Sequence, residues 1–179
     1  MQKLRLTACH SLLTGPPDAR GMHPTEGDDA PDFEALLCDG ETFRERTLEE
    51  ATGDRGAVLV FFGFVFSAIS DNWWRRYERG DWAEFDEAPV YGVGRDGPYA
   101  INAFLRGIDS PFSIFADVDG EVADAYDLLV EREGMAGTKT PRRAVFVLDD
   151  EGEVRHAWST DEWIHPVPVE ELEETIEGL

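Results

Sequence analysis

Two serines three residues apart, Ser67 and Ser70, follow the apolar run Ala57-Val-Leu-Val-Phe-Phe62 and precede an aromatic and basic stretch, Trp73-Trp-Arg-Arg-Tyr77. The run is too short and too β-rich for anything but a buried strand turning at Gly63, with a helix from about Ser67 to Arg79. A central strand that delivers small hydroxyl side chains to a helix N-terminus is a common way to present chemistry. Serine hydrolysis is not supported, because the chain has no G-x-S-x-G elbow and no His near either serine in sequence.

Other chemistry-bearing patterns have plainer accounts. Gly92-x-Gly94-x-x-Gly97 follows a strand, precedes a helix and has Asp117 twenty residues after its last Gly, as a dinucleotide fingerprint would. Pro98 sets the helix start one residue later, however, leaving Gly97 outside the first turn, and Asp96 would face the pyrophosphate. A tight Gly-rich strand-to-helix turn fits better, and no cofactor is expected. Asp117-Val-Asp-Gly120 and Asp149-Asp-Glu-Gly152 lack the twelve-residue ligand series of a calcium loop and read as Asp/Gly turns. His156 and His165 have no H-x-x-x-H partner or paired Cys, so no metal site is expected. Trp73-Trp-Arg-Arg-Tyr77 could stack bases, but overall charge favours core packing with intramolecular Arg pairing.

That charge is the strongest compositional signal. Thirty-eight Asp and Glu oppose sixteen Lys and Arg, a net −22, and only Lys3 and Lys139 are lysines. A self-repelling acidic surface argues against nucleic acid or an anionic membrane as partner. Acid excess with Arg in place of Lys is the pattern expected of a protein working in high salt. The two cysteines, Cys9 and Cys38, give no disulfide framework and suggest a reducing, cytoplasmic setting.

The elements that must position these residues follow in order. Residues 1–26 read as a disordered tail or an over-extended start, with Met22 as the true start, and 27–179 as one domain. A domain of this size buries about 70% of its unfolded surface. A hairpin over Asp32–Leu37 and Thr42-Phe43 turns at Asp39-Gly40, with Cys38 beside the turn. Thr47 caps one helical turn to Ala51. After the central strand and helix come strands at Val90–Val93 and Ser113–Ala116, and helices at Tyr99–Gly107, with Pro98 at its start, and at Gly120–Leu129. Residues 131–140 read as a polar loop. Strands Arg143–Leu148 and Val154–Trp158 form a hairpin across Asp149–Gly152, and a helix over Val169–Gly178 closes the chain. The expected fold class is α/β, a mixed central sheet flanked by helices.

Taken together, these pieces resemble the peroxiredoxins, the alkyl hydroperoxide reductase and thiol-specific antioxidant group. Gly27-Asp-Asp-Ala-Pro-Asp-Phe33 is similar to that family's entry strand. Val58–Phe62, Val90–Val93, Gly120–Tyr126 and Arg142–Asp149 follow in the family's order and spacing. The resemblance implies a thioredoxin-like sandwich of peroxiredoxin type and a lineage of thiol peroxidases acting on hydroperoxides. The family's active loop, P-x-x-x-T-x-x-C, puts Gly63 at its Pro, Ser67 at its Thr and Ser70 at its peroxidatic Cys. Its active-site Arg falls on Arg143, and Trp73 stands where many members carry an acid that helps hold that Arg.

Serine at position 70 removes the family's chemistry. The reaction needs a thiolate, lowered in pKa by a helix N-terminus and a cation, that becomes a sulfenic acid. A hydroxyl is a far weaker acid and has no such state. The expectation is therefore a protein without peroxidase activity, acting as a binding or regulatory module with a pocket between Ser67, Ser70 and Arg143. A hydroperoxide or small ligand is its expected partner, and a homodimer is compatible. The alternative is an active antioxidant oxidoreductase, with Ser70 an engineered replacement of Cys or with Cys38 as nucleophile.

Overall fold

The structure, a computed structural model, describes residues 23–179 apart from residue 86. The expected tail lies, for 1–22, outside the described residues. Residues 23–26, ahead of the expected domain start, are attached to the domain: the His23 ring meets Phe146 edge-on, and its Nε2 is 2.8 Å from Ser159 Oγ.

Strands β1 (Glu34–Cys38) and β2 (Phe43–Thr47) form the first hairpin, followed by α1 (Leu48–Ala51), β3 (Ala57–Phe61) and α2 (Ala68–Arg79). Then come β4 (Val90–Gly94), α3 (Pro98–Ile108), β5 (Ser113–Ala116), α4 (Glu121–Ala125), β6 (Leu129–Glu131), β7 (Lys139–Pro141), β8 (Arg143–Leu148), β9 (Val154–Thr160) and α5 (Val169–Glu177). Seven strands make one mixed sheet in the order β2-β1-β5-β4-β3-β8-β9, with β3, β4 and β5 parallel and the outer pairs antiparallel. β3 is central and wholly buried because its alternate side chains serve two cores. Val58 and Val60 join Trp73, Trp74 and Tyr77 of α2, Ile101, Phe104 and Leu105 of α3, and Leu172 and Ile176 of α5. Leu59 and Phe61 face α1 and α4 with Phe115, Tyr126 and Phe146.

Local chemistry accounts for the boundaries. Thr47 and Glu50 complete a reciprocal capping box on α1. Gly80 caps α2, and Pro98 opens α3. The Gly-rich turn is explained by packing. A Cβ on Gly92 would lie 2.6 Å from the Trp74 ring and 2.8 Å from Ile114, and one on Gly94 2.6 Å from the Phe62 ring. These glycines make room for aromatic side chains beneath the sheet.

Two expectations need correction. Asp117 caps the start of the helix expected over Gly120–Leu129, accepting from Val122 N at 3.1 Å and Ala123 N at 3.0 Å, but the helix ends at Ala125, because Asp127 takes positive φ and Leu128 N turns back to the Ala123 carbonyl at 2.8 Å. The polar loop expected over 131–140 is a loop over 132–138, but its two ends belong to strands, β6 pairing antiparallel with β7 in a small second sheet. Strands of three residues are too short to show a period-2 apolar signal, so their pairing is invisible to hydrophobic patterning.

Candidate active site

The register places the site. One row of paired residues runs across six strands: Cys38, Ile114, Gly92, Val60, Val145 and Trp158. Arg143 lies two residues before Val145, on the same face of β8, beyond the C-terminal end of β3. α2 starts from that end, so Ser70 and Arg143 converge on one cavity, lined also by Gly63, Trp73, Tyr77, Trp158 and Trp163. The cavity is small, about 20 Å³ of room for the centre of a water-sized sphere, enough for one or two waters. Ser67 does not line it. Cys38 sits in the same row but three strands from Val60, ~14 Å away at normal strand spacing.

Both serines are engaged in holding the loop. Ser67 is the N-cap of α2, its Oγ accepting from Ser70 N at 3.1 Å. The Ser67 hydroxyl donates to Ser70 Oγ at 2.9 Å, and the Ser70 hydroxyl donates to the Phe64 carbonyl at 2.7 Å. Ser70 is 5% exposed. No His, Lys or carboxylate shares these bonds, so nothing is placed to take its proton. Asp96, passed over as a feature of the Gly-rich turn, braces the same loop by accepting from Val65 N at 2.7 Å. Burial pulls the Asp96 carboxyl above its usual range, and that backbone bond opposes the rise.

Arg143 is buried, 6% exposed, without a carboxylate partner among the described residues. Its guanidinium carbon lies 4.3 Å from the centre of the Trp73 ring and 5.6 Å from that of Trp158. Trp73, standing where the resemblance led to an acid, thus meets the cation with a π-face. Arg143 Nη1 donates to the Trp163 carbonyl at 3.1 Å and the His165 carbonyl at 2.7 Å. Nη2, fully buried, has no hydrogen-bond partner among the described residues. Burial draws the guanidinium below its ordinary pKa, with the neighbouring Tyr77 phenol acting against the shift. Burial pushes the phenol itself up to about 12, with Arg143 opposing. The arrangement can hold an electron-rich group against a cation in an apolar setting.

Cys38 is 0% exposed, and burial, with Asp39 adding to it, pushes its thiol up to about 12. A thiol so raised is inert at neutral pH. Sequence reasoning missed Trp163, Tyr77 and Arg132. Arg132, on the β6–β7 connection, stacks 4.5 Å over the Trp163 ring. The available signal was a lone Trp in a polar, Pro-bounded segment, Asp161-Glu-Trp-Ile-His-Pro166, where core packing has no claim on it.

Comparison with known proteins decides the family. The model of the AhpC/TSA family matches residues 26–157. The chain belongs to the AhpC/TSA family. It is 25% identical over 145 residues to the thiol peroxidase of Bacillus subtilis, covering 80% of this chain and 81% of that protein. It is 24% identical over 143 residues to the chloroplastic 2-Cys peroxiredoxin BAS1 of Spinacia oleracea, covering 75% of this chain but only 52% of the spinach protein, so it spans about half that relative's length. Among solved structures, AhpC of Enterococcus faecalis superposes with a TM-score of 0.72 at 22% identity, covering 87% of this chain and 92% of that one. A Cys-to-Ser mutant of PrxQ from Xylella fastidiosa also gives 0.72 at 22% identity, covering 88% and 98%. The fold of this AhpC/TSA member is thus the thioredoxin-like, peroxiredoxin-type sandwich expected. No helix among its described residues is long and apolar enough to cross a membrane.

Proposed function

We propose that this AhpC/TSA protein carries Ser70 at the family's peroxidatic position, lacks peroxidase activity, and acts as a binding or regulatory module through the Ser70–Arg143 cavity. One observation carries the reading: the Ser70 hydroxyl is committed to the Phe64 carbonyl and the Ser67 hydroxyl, with no base beside it. A hydroxyl so placed has neither the acidity nor the redox states that hydroperoxide reduction requires. Arg143 keeps the cation, and the tryptophans around it supply apolar walls for a hydroperoxide-sized or other small ligand. The alternative through Cys38 draws no support from the geometry, since that thiol is buried in another part of the sheet. The acid excess supports a saline working medium, and the absence of a disulfide framework supports a reducing, cytoplasmic one. A homodimer fits the family.

Peroxide consumption tests the reading. The unaltered protein is expected to consume hydrogen peroxide no faster than buffer with a dithiol reductant, and Ser70→Cys to acquire turnover. Rapid consumption by the unaltered protein would overturn it. Loss of that consumption in Cys38→Ala would then name Cys38 as the nucleophile.

A further inference from the structure

The segment that closes the site, residues 161–168, has no helix or strand, and its flanks are fixed by β9 and by the buried Val167. Between those flanks Ile164 is largely exposed and Trp163 partly so. Three arginines tie it to the rest of the molecule, beside the His165 ring stacked on Trp158 and Val167 in the core. Arg142 pairs with Asp161 at 2.9 Å, Arg132 stacks on the Trp163 ring, and Arg143 donates to the carbonyls of Trp163 and His165. A segment with so little buried apolar surface belongs to the easily opened end of the stability range.

The bonds to Arg143 are unusual in form. Both carbonyls sit on one nitrogen, Nη1, while the buried Nη2 beside it is unpaired among the described residues. A guanidinium offers a planar fork that a carboxylate fills with two parallel bonds, and a buried polar nitrogen without a partner is costly. Half of the fork is therefore occupied by backbone, while Nη2 makes no hydrogen bond of normal geometry and the Tyr77 phenol is the guanidinium's other polar neighbour. We propose that residues 161–168 are an autoinhibitory strap whose carbonyls occupy Arg143, and that the site beneath takes a small carboxylate that displaces them. The carboxylate takes Nη1 and Nη2 together and satisfies both. The strap gives up its two carbonyl bonds to water, where carbonyls are readily solvated, and Trp163 swings off Gly63, which it nearly touches. Trp73 and Trp158 remain as flat walls, so a planar carboxylate with an apolar body fits better than a compact ion.

The inference rests on reading the Ser70–Arg143 cavity as a ligand site, and its test does not depend on peroxide chemistry. Cleavage of the full chain after Asp161 and Glu162 by a Glu-specific protease is followed while sodium benzoate or acetate replaces sodium chloride at constant ionic strength. Cleavage in the strap is expected to accelerate at least tenfold and saturably with benzoate, less with acetate, while the strands of the central sheet stay uncut. Arg143→Gln should be cut fast without ligand and show no further response. Trp163→Ala, which changes a partly exposed side chain and leaves the core intact, should bind benzoate several-fold more tightly than the unaltered chain. Strap cleavage indifferent to benzoate, an equal response to acetate, or Trp163→Ala with unchanged affinity would overturn the proposal. Peroxide turnover by the unaltered protein would sink the reading of the site while leaving these measurements intact.

Discussion

At the scale of single residues, serine at position 70 changes chemistry with little change of shape. Its side chain cross-links the loop, so replacement by Ala leaves the Phe64 carbonyl and the Ser67 hydroxyl each short of a partner. The expected cost is about 1–3 kcal/mol, measured by urea unfolding, and a loss below about 0.5 kcal/mol would mean the hydroxyl network is incidental. A cysteine in the same place sits in the first turn of a twelve-residue helix, across the cavity from Arg143. The Ser70→Cys thiol should therefore titrate below the ordinary value of about 8.5, read from thiolate absorbance against pH. Cys38 is the contrasting case in the same molecule. Because burial pushes its thiol up to about 12, a Cys9→Ala variant should show no thiol reactive to an aromatic disulfide at pH 8 until it is unfolded. Labelling of the native variant at the rate of a free thiol would place Cys38 in an open environment and revive it as a nucleophile.

At the scale of elements, what the sequence made legible was whatever is encoded locally. The Asp39-Gly40 turn, the Thr47 cap, Pro98 at the head of α3 and the apolar run of β8 each carry their signal within a few residues, and the structure has each of them there. Ser70 was legible as a candidate from the strand-to-helix pattern around it, but its place in the family's loop, and Arg143 altogether, only through the resemblance. What could not be read was assembled by long-range contact. Trp73, Trp158 and Trp163 come from α2, β9 and the segment after it, and no periodicity announces that they meet around one guanidinium. The β6–β7 pairing has no local signal, and neither has Arg132 on the loop between them, whose Nε donates to Thr140 Oγ1 at 2.7 Å and one of whose Nη atoms donates to the Pro141 carbonyl at 2.7 Å before the side chain reaches Trp163. That small sheet is thus the platform for the segment covering the site. Removing the guanidinium in Arg132→Ala should free Trp163, raising its quenching by acrylamide and costing about 0.5–1 kcal/mol, the range of a partly exposed cation–π pair. Unchanged quenching would mean that Arg142 and Arg143 hold the segment without it.

For the whole molecule, charge outweighs any single contact. The ion pairs among the described residues are mostly between exposed groups such as Arg44–Asp39 and Arg75–Asp71, and pairs of that kind contribute little. Against them stands a net charge of −22 on the chain, whose mutual repulsion reaches across the surface when the screening length is about 10 Å at 0.1 M salt and collapses when it is about 3 Å at 1 M. Stability should therefore climb steeply with salt, with potassium chloride far more effective than sucrose of equal osmolality. Acid gives the second arm of the same argument, and its sign has two parts. Protonating exposed carboxylates, as pH falls toward their ordinary range near 4, relieves repulsion and stabilises the fold at low salt. Asp39 acts the other way. Backbone N–H groups of Thr42 and Glu41 hold its carboxyl below the usual range, so its contribution is complete above the unfolded pKa and is lost as pH falls through the folded one. At 0.1 M salt the melting temperature is thus expected to rise from pH 7 toward pH 5 and to fall below about pH 4, whereas at 2 M salt the rise should vanish and the acid fall remain. A profile that is flat from pH 7 to 5 at low salt, or one that salt leaves unaltered, would mean that the acidic shell is locally compensated and that its repulsion does not govern this fold.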